Sequence, residues 1–433
     1  MSTSAWVELW GRRIAGVSWD AEREHGVFQY TPAFAASAIE VAPLTMPLRT
    51  APYRFTALPR ESFHGLPGLL ADCLPDRFGN TLINAWLAEQ GRTPASFNPV
   101  ERLCYIGSRA MGALEFKPSI GLDGRAGRRI ALDGLVTLAN RVLDERLGLT
   151  GALGGHDDRT DIENILRVGT SAGGARAKAV LAWHPDTGAF RSGQVAADSG
   201  YQHWLVKFDG VHGNRDKELA DPQGFGRIEY AYARMAADAG IDMSPSRLFE
   251  EGGRAHFMTR RFDRRDDGAK WHMQSLAAMR HFDFNAAGSN SYEEAIQTLR
   301  QLGLPALDVE QQVRRAVFNV LARNQDDHVK NIAFLMDSRG DWRLSPAFDV
   351  TYAYNPDGAW TSQHQMSLNG KRRGFTRDDL VRFAAYANLK KRKADALIED
   401  ALSALGAWPG HARDAGVDPA DAARIARSFR WLS

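Results

Sequence analysis

The octapeptide NQDDHVKN, residues 324–331, places two adjacent aspartates, a histidine, a lysine and two asparagines directly after the apolar, helix-like run VRRAVFNVLAR. Asp326 and Asn331 join with Asp349, in LSPAFDV, to make a set suited to phosphoryl transfer. A hairpin over NIAFLMDSRGDWRLSP would return Asp349 to Asn331, bringing an amide oxygen and a carboxylate within reach of one Mg²⁺. Hard oxygen ligands, incomplete protein coordination and bound phosphate are what Mg²⁺ sites use. Asp326, left off the metal, would orient an acceptor hydroxyl and take its proton. An ordinary aspartate pKa of about 3.9 leaves it ionised at neutral pH. A polar turn at a helix C-terminus, with His328 and Lys330 making local hydrogen bonds, reads the same way from these residues alone. Asp327 has no part in this division of labour and is expected to be dispensable.

Two upstream features extend the set. In VGTSAGGARAK, residues 168–178, consecutive glycines Gly173 and Gly174 with small neighbours let backbone amides approach a phosphate and form an anion-binding concavity. The pattern is neither a P-loop nor a dinucleotide fingerprint, and a plain hairpin loop fits it too. Ser171 adds a hydroxyl beside this loop that could itself take a phosphate, although most loop serines are turn formers. Lys207, in HWLVKFD, is a cation on an apolar strand, where burial without a partner is costly. Glu229, on the following helix RIEYAYARM, is a suitable partner, and strand lysine with helix glutamate is the arrangement protein kinases place on nucleotide phosphates. An edge-strand lysine with its head in water is the alternative.

The elements that must position these residues can be traced along the chain. Alternation over residues 5–43 predicts a small antiparallel sheet with a tight turn at Gly11. Helical spacing follows to Gly91, a natural stop, and GALEFKP returns to a strand. GLDGRAGRR reads as a linker, and LDGLVTLANRVLDERLG as amphipathic. ENILRV, AVLAW and YQHWLVKF read as strands around the glycine loop, and RLFEEGGRAHFMTRRF as a hairpin turning at Gly252 and Gly253. Beyond about residue 260 the periodicity is mainly helical, interrupted by the short β pair before Asp349. The expected architecture is α+β and two-lobed, kinase-like in order: an N-terminal unit 1–120, a β-rich nucleotide lobe 121–258, and a mainly α catalytic lobe 259–433.

Length and composition agree with a globular chain of several packed units: 433 residues, 44% apolar and 24% charged. A net charge of +2 gives no global field toward nucleic acid or anionic membrane. Cys73 and Cys104 sit in apolar surroundings and are expected as buried free thiols. No stretch approaches about 18 uninterrupted apolar residues, so the expectation is a cytoplasmic protein without a membrane span.

With these motifs assembled, the sequence resembles the HipA family of serine/threonine kinase toxins, which pair with small DNA-binding HipB-type antitoxins. The resemblance rests on HGLPGLLADCLPDRFGN, TSAGGARAK, DDHVKN and LSPAFDV, in that order. It implies Asp326 as catalytic base, Asn331 and Asp349 as magnesium ligands, and His328 and Lys330 lining an ATP site. It further implies that Gly173, Gly174, Ala175, Arg176, Ala177 and Lys178 cover the phosphates, that Lys207 contacts them, and that Arg260, Arg261 and Phe262 form the adenine hinge. Ser171 matches the serine that family members autophosphorylate, and added negative charge there would repel nucleotide phosphates. The hinge position that can be acidic in the family is Arg260 here, and WHMQSLAAMRHFDF departs from the best-known toxin. Family precedent points to an aminoacyl-tRNA synthetase, glutamyl-type or other, as substrate.

Two other functions compete. A nucleotide-binding component of a repressor complex, with DNA contacts supplied by the antitoxin, would make catalysis dispensable. A metal-dependent nuclease or hydrolase would use the Asp-Asp-His-Asn cluster but leaves the glycine loop and Lys207 unexplained.

Overall fold

The computed structural model describes residues 3–89, 91–120, 135–136, 139–140, 176–193, 200–211, 215–216, 219–220, 224–265 and 267–432. The ENILRV strand, Ser171, Gly173, Gly174 and Ala175 of the glycine loop, the GLDGRAGRR linker and most of the amphipathic stretch after it lie outside the described residues.

The N-terminal sheet is antiparallel, with strands β1 (Ser4–Leu9), β2 (Arg12–Asp20), β3 (His25–Tyr30), β4 (Tyr53–Arg54) and β5 (Leu114–Lys117) in the order β4-β3-β2-β1-β5. Its first turn is the expected one: Trp10 (φ 48°) and Gly11 (φ 75°) both take positive φ, the geometry that matches strand twist across a two-residue hairpin. One face buries Val7, Val17, Phe28 and Phe116 against Leu69, Leu70 and Leu103. Cys73 and Cys104 are free thiols inside this core, as expected. Burial pushes both upward, Cys104 to about 11, which favours the neutral thiol.

The second sheet contains β6 (Lys178–Trp183), β7 (Phe190–Ser192), β8 (Gln202–Lys207), β11 (Ser246–Glu251) and β12 (Arg254–Arg260), ordered β11-β12-β8-β6-β7; a separate short pair, β9 (Arg215–Asp216) and β10 (Leu219–Ala220), intervenes in sequence. Gly252 (φ 57°) and Gly253 (φ 77°) make the β11–β12 turn that their pairing suggests. The Phe225–Asp238 helix lies against β12 because Gly226 has no side chain: a Cβ there would fall 2.3 Å from the Ala255 carbonyl oxygen. The Arg77–Glu89 helix, although N-terminal in sequence, packs Phe78, Leu82 and Ile83 with Val206 and Met258 of this sheet.

The remaining chain is mainly helical, as expected. The helices Tyr292–Gln301, Ala306–Leu321, Arg377–Tyr386, Lys391–Gly406 and Pro419–Ser428 surround Val313, Phe318, Phe383 and Leu397. The β pair before Asp349 is β14 (Ala333–Met336) with β15 (Trp342–Leu344), and a third strand, β13 (His272–Ser275), pairs with β14. The alternation rule misses β13 because its buried positions are polar. His272 Nε2 lies 3.1 Å from the Val41 carbonyl oxygen, and Gln274 Nε2 donates to the same oxygen at 2.6 Å. A backbone carbonyl, rather than apolar contact, makes those side chains buriable. Among the described residues no helix is long and apolar enough to cross a membrane.

Candidate active site

The NQDDHVKN segment begins where the Ala306–Leu321 helix stops. Arg323 (φ 60°) reverses the backbone, and Gln325 N–H then donates to the Ala353 carbonyl at 3.0 Å, so residues 324–331 leave the helix as an irregular segment pinned to a later loop. Val329–Asn331 closes a short 3-10 turn, and Asn331 Nδ2 donates to the Asp326 carbonyl oxygen at 2.9 Å. The β14–β15 hairpin does what its position requires, pairing Phe334 with Leu344, and Ser345 N–H donates to the Ala333 carbonyl at 2.9 Å. Four residues later Asp349 takes a left-handed conformation (φ 53°), which a short polar side chain tolerates better than most. Asn331, His328 and Asp349 thereby line one cavity.

The lysine expected to need a partner has two. Lys207 Nζ donates to Glu229 Oε1 and to Asp349 Oδ1, each at 2.5 Å, from the last residue of β8. Burial works against the charge on Lys207, but the two carboxylates more than offset it and hold the ammonium above its ordinary range. Burial likewise opposes ionisation of Asp349, and Lys207, then Lys178, overcome this to hold its carboxyl at about 2. Glu229 sits buried on the Phe225–Asp238 helix, its other oxygen 3.8 Å from Arg176 Nη1, while the Arg176 guanidinium stacks 3.5 Å above the Phe225 ring. Strand lysine, helix glutamate and the AFDV aspartate are therefore one connected cluster.

Lys178 adds a second buried cation. It faces Lys207 across β6–β8, a like-charge placement that costs free energy unless each lysine has a counterion. Its counterion is Asp76, 3.5 Å away and equally buried. Burial dominates at Asp76, raising its carboxyl to about 6 despite Lys178. Sequence reasoning passed over Asp76 because PDRFGN reads as an ordinary helix start; its Oδ1 does accept the Gly79 N–H at 2.6 Å, and its other oxygen faces the cleft lysine. The N-terminal unit thus reaches the site.

The metal expectation can be tested on the donors. Asn331 gives its N–H to a backbone carbonyl, which leaves its amide oxygen as the group available to a cation, and Asp349 supplies an ionised carboxylate. Among the described residues no cluster of three or more His, Cys, Asp or Glu side chains could hold a metal ion. One amide and one carboxylate fit an ion that takes its other ligands from phosphate and water.

The remaining expected residues separate into two groups. Facing the site, His328 Nε2 lies 3.9 Å from Asp326 Oδ2, and Lys330 Nζ sits 4.5 Å over the Phe284 ring. Phe262 packs on Phe348, next to Asp349, with centroids 5.5 Å apart. Turned inward, Arg261 is buried and gives Nε and Nη2 to Asp263 at 2.9 and 2.7 Å. Arg260 closes β12 with its N–H on the Pro245 carbonyl, and Ala177 gives its carbonyl to Phe208 N–H.

Asp327 corrects an expectation. It is buried and accepts from Tyr292 Oη at 2.6 Å, His364 Nδ1 at 2.7 Å and Gln365 N–H at 2.8 Å. Burial alone would raise its carboxyl, but His364 and these donors hold it below the usual carboxylate range. An aspartate with three partners ties the segment to the start of the Tyr292–Gln301 helix and to the 360–365 loop; it is a structural anchor, not a spare. Sequence identity with its neighbour gave no sign of this.

Comparison with known proteins adds family and fold. A model of the HipA-like C-terminal domain matches residues 170–408, and one of the HipA N-terminal domain matches residues 5–117. In Sinorhizobium fredii, "Putative kinase Y4mE" is 30% identical over 29% of this chain and "Putative kinase Y4dM" 31% identical over 44%. The matched regions span 32% and 47% of those relatives, about a third and about half of their length. The solved HipA of Shewanella oneidensis MR-1, in complex with HipB and operator DNA, superposes over 98% of this chain and 94% of its own, with a TM-score of 0.65 and 17% identity. That likeness establishes the fold.

Proposed function

The chain belongs to the HipA family, and from that premise we propose that it is an ATP- and Mg²⁺-dependent protein serine/threonine kinase acting as a growth-arresting toxin. The observation that carries this reading is the Lys207 bridge to Glu229 and Asp349, the last of which lines the same cavity as Asn331 and His328. Lys207 and Lys178 supply positive charge where triphosphate oxygens would lie. Mg²⁺ held by Asn331 and Asp349 would neutralise charge on those oxygens. Asp326 orients the acceptor hydroxyl: its oxygen bonds to the γ-phosphorus, the bond from that phosphorus to the bridging oxygen breaks, and the proton passes to the Asp326 carboxylate. Catalysis of this kind is positioning plus charge stabilisation.

The protein substrate proposed is an aminoacyl-tRNA synthetase, and the partner a HipB-type antitoxin that supplies most of the DNA contacts. Both act in the cytoplasm. Ser171 is the proposed self-phosphorylation site. Intact mass spectrometry after incubation with ATP and Mg²⁺ tests this: one added phosphate on the wild type and none on Ser171→Ala is expected. No added mass on either, alone and with candidate synthetases, counts against both kinase activity and the site.

A second reading, a nucleotide-binding co-repressor without required catalysis, draws on one observation. Lys207 here bonds to one oxygen of Asp349, the carboxylate proposed to hold the metal, and so competes with a cation for it. Growth arrest by an Asp326→Ala variant equal to that of wild type would favour it.

A further inference from the structure

Gln312 and Arg315, polar residues of the Ala306–Leu321 helix, line the same cavity as Asn331 and Asp349. Both are buried, Gln312 at 1% exposure and Arg315 at 6%. A guanidinium carries five N–H donors and a full charge. Nη2 of Arg315 donates to the Ser345 carbonyl at 2.6 Å, and that oxygen is its one hydrogen-bond partner among the described residues. Its Nε has none, and neither has Gln312 Oε1. No carboxylate of the described residues lies within ion-pair distance of Arg315. Burial lowers its pKa to about 10, and Asp242 and Asp308, attracting it from beyond contact, only partly oppose this. The helix therefore presents to the cavity a guanidinium that is charged at neutral pH and has no counterion in contact.

We propose that this cavity is a binding site for one small monovalent anion, of chloride's size, held by Arg315. A buried charge is stabilised by an opposite charge, and a water molecule supplies hydrogen bonds but no charge. The carboxylates on the cavity wall do not meet that need. Asp327 is engaged by Tyr292, His364 and the Gln365 N–H, and Asp349 by Lys207. Size narrows the class: the cavity has about 20 Å³ open to the centre of a water-sized body, room for a single-atom ion and not for phosphate, sulfate or nucleotide. Gln312, whose amide has two N–H donors and makes no hydrogen bond among the described residues, is a second ligand. The ion acts on the fold through the guanidinium. Arg315 holds the Ser345 carbonyl four residues before Asp349, so an anion that fixes Arg315 also fixes the segment carrying that aspartate. The site does not depend on the kinase reading.

Two measurements on the full-length protein test this. Melting temperature is recorded for wild type and Arg315→Met over a sodium chloride series balanced with sodium gluconate to constant ionic strength, gluconate being too large for the cavity. Wild type should gain stability along a saturating curve, by about 2 °C or more at its plateau, because a ligand that binds only the folded state raises its melting temperature. Arg315→Met should show no saturating response, so the gap between the two proteins moves with chloride. The second measurement needs no variant. Wild-type crystals grown in sodium bromide and measured at the bromine absorption edge should show an anomalous peak in contact with the Arg315 guanidinium, and exchange into chloride should abolish it. If Arg315→Met does not fold, the wild-type melting curve and the bromide peak decide together. Water alone at Arg315, or a chloride response equal in wild type and Arg315→Met, overturns the proposal. A bromide peak without a saturating chloride response marks binding at crystal concentration only, and overturns it too. Neither readout involves ATP, so the kinase reading and this site stand or fall separately.

Discussion

The two sides of the cleft are built on opposite electrostatic plans. On the sheet side, full charges meet full charges: Lys207 with Glu229 and Asp349, Lys178 with Asp76. On the side of residues 324–331, aspartates meet mostly uncharged donors: Trp360 on Asp326, and Tyr292, His364 and a backbone N–H on Asp327. The contrast suits two different tasks. Cations that are to receive phosphate must be kept charged inside the protein without ligand, and buried carboxylates do that, at a desolvation cost that direct contact offsets. A base that is to receive a proton must keep its own charge and hold still, and directed neutral hydrogen bonds do that without an ion pair.

The comparison is broken most severely at Lys207. In Lys207→Met, Glu229 and Asp349 lose their shared cation, and breaking a buried pair of this kind costs about 3–5 kcal/mol. Calorimetry should show a strongly lowered melting temperature, and nucleotide titration a loss of ATP binding. A variant that melts and binds ATP like wild type would show that the sheet-side charges are not the nucleotide's counterions.

Asp327→Asn should have a smaller and different effect. Loss of the charged acceptor of three donors costs about 1.5–3 kcal/mol, while Lys207 and Lys178 are left in place to bind ATP. The sign with pH follows from its depressed carboxyl. The folded protein holds Asp327 ionised where the unfolded chain would begin to protonate it, so its stabilisation is present above the ordinary aspartate pKa of about 3.9 and is lost as pH falls through the lower folded value. Melting curves recorded from pH 7 downward should converge for wild type and variant on the acid side. A constant gap would mean that packing, not charge, sets the difference.

How much of this was legible in the sequence depends on the range over which each signal acts. Gly252-Gly253 and Trp10-Gly11 predict hairpins because turn geometry is local. Lys207 declared its need for a counterion because an apolar strand surrounded it, and Glu229 lay one helix away. The hairpin that returns Asp349 to Asn331 was readable from a short β pair. What escaped was long-range. Asp76 reaches Lys178 across about 100 positions, and its local role as a helix-starting acceptor hides the distant one. Asp326 and Asp327 are chemically identical neighbours, and only the fold separates a half-buried carboxylate bonded to Trp360 from a fully buried one with three donors. Strand β13 was missed because the Val41 carbonyl, from the loop before β4, and not apolar alternation, buries its polar side chains.

The central claim is that Asp326 performs chemistry while Lys207 and its partners perform binding, and the Asp326→Asn variant tests it most directly. With ATP labelled at the γ-phosphate, transfer to protein and nucleotide affinity are measured side by side for wild type and variant. The account predicts transfer by wild type, none detectable by the variant, and ATP affinities within about 3-fold of each other, because the substitution removes a proton acceptor without touching the sheet-side charges. Equal transfer by the two proteins, or loss of ATP binding in the variant, would contradict it.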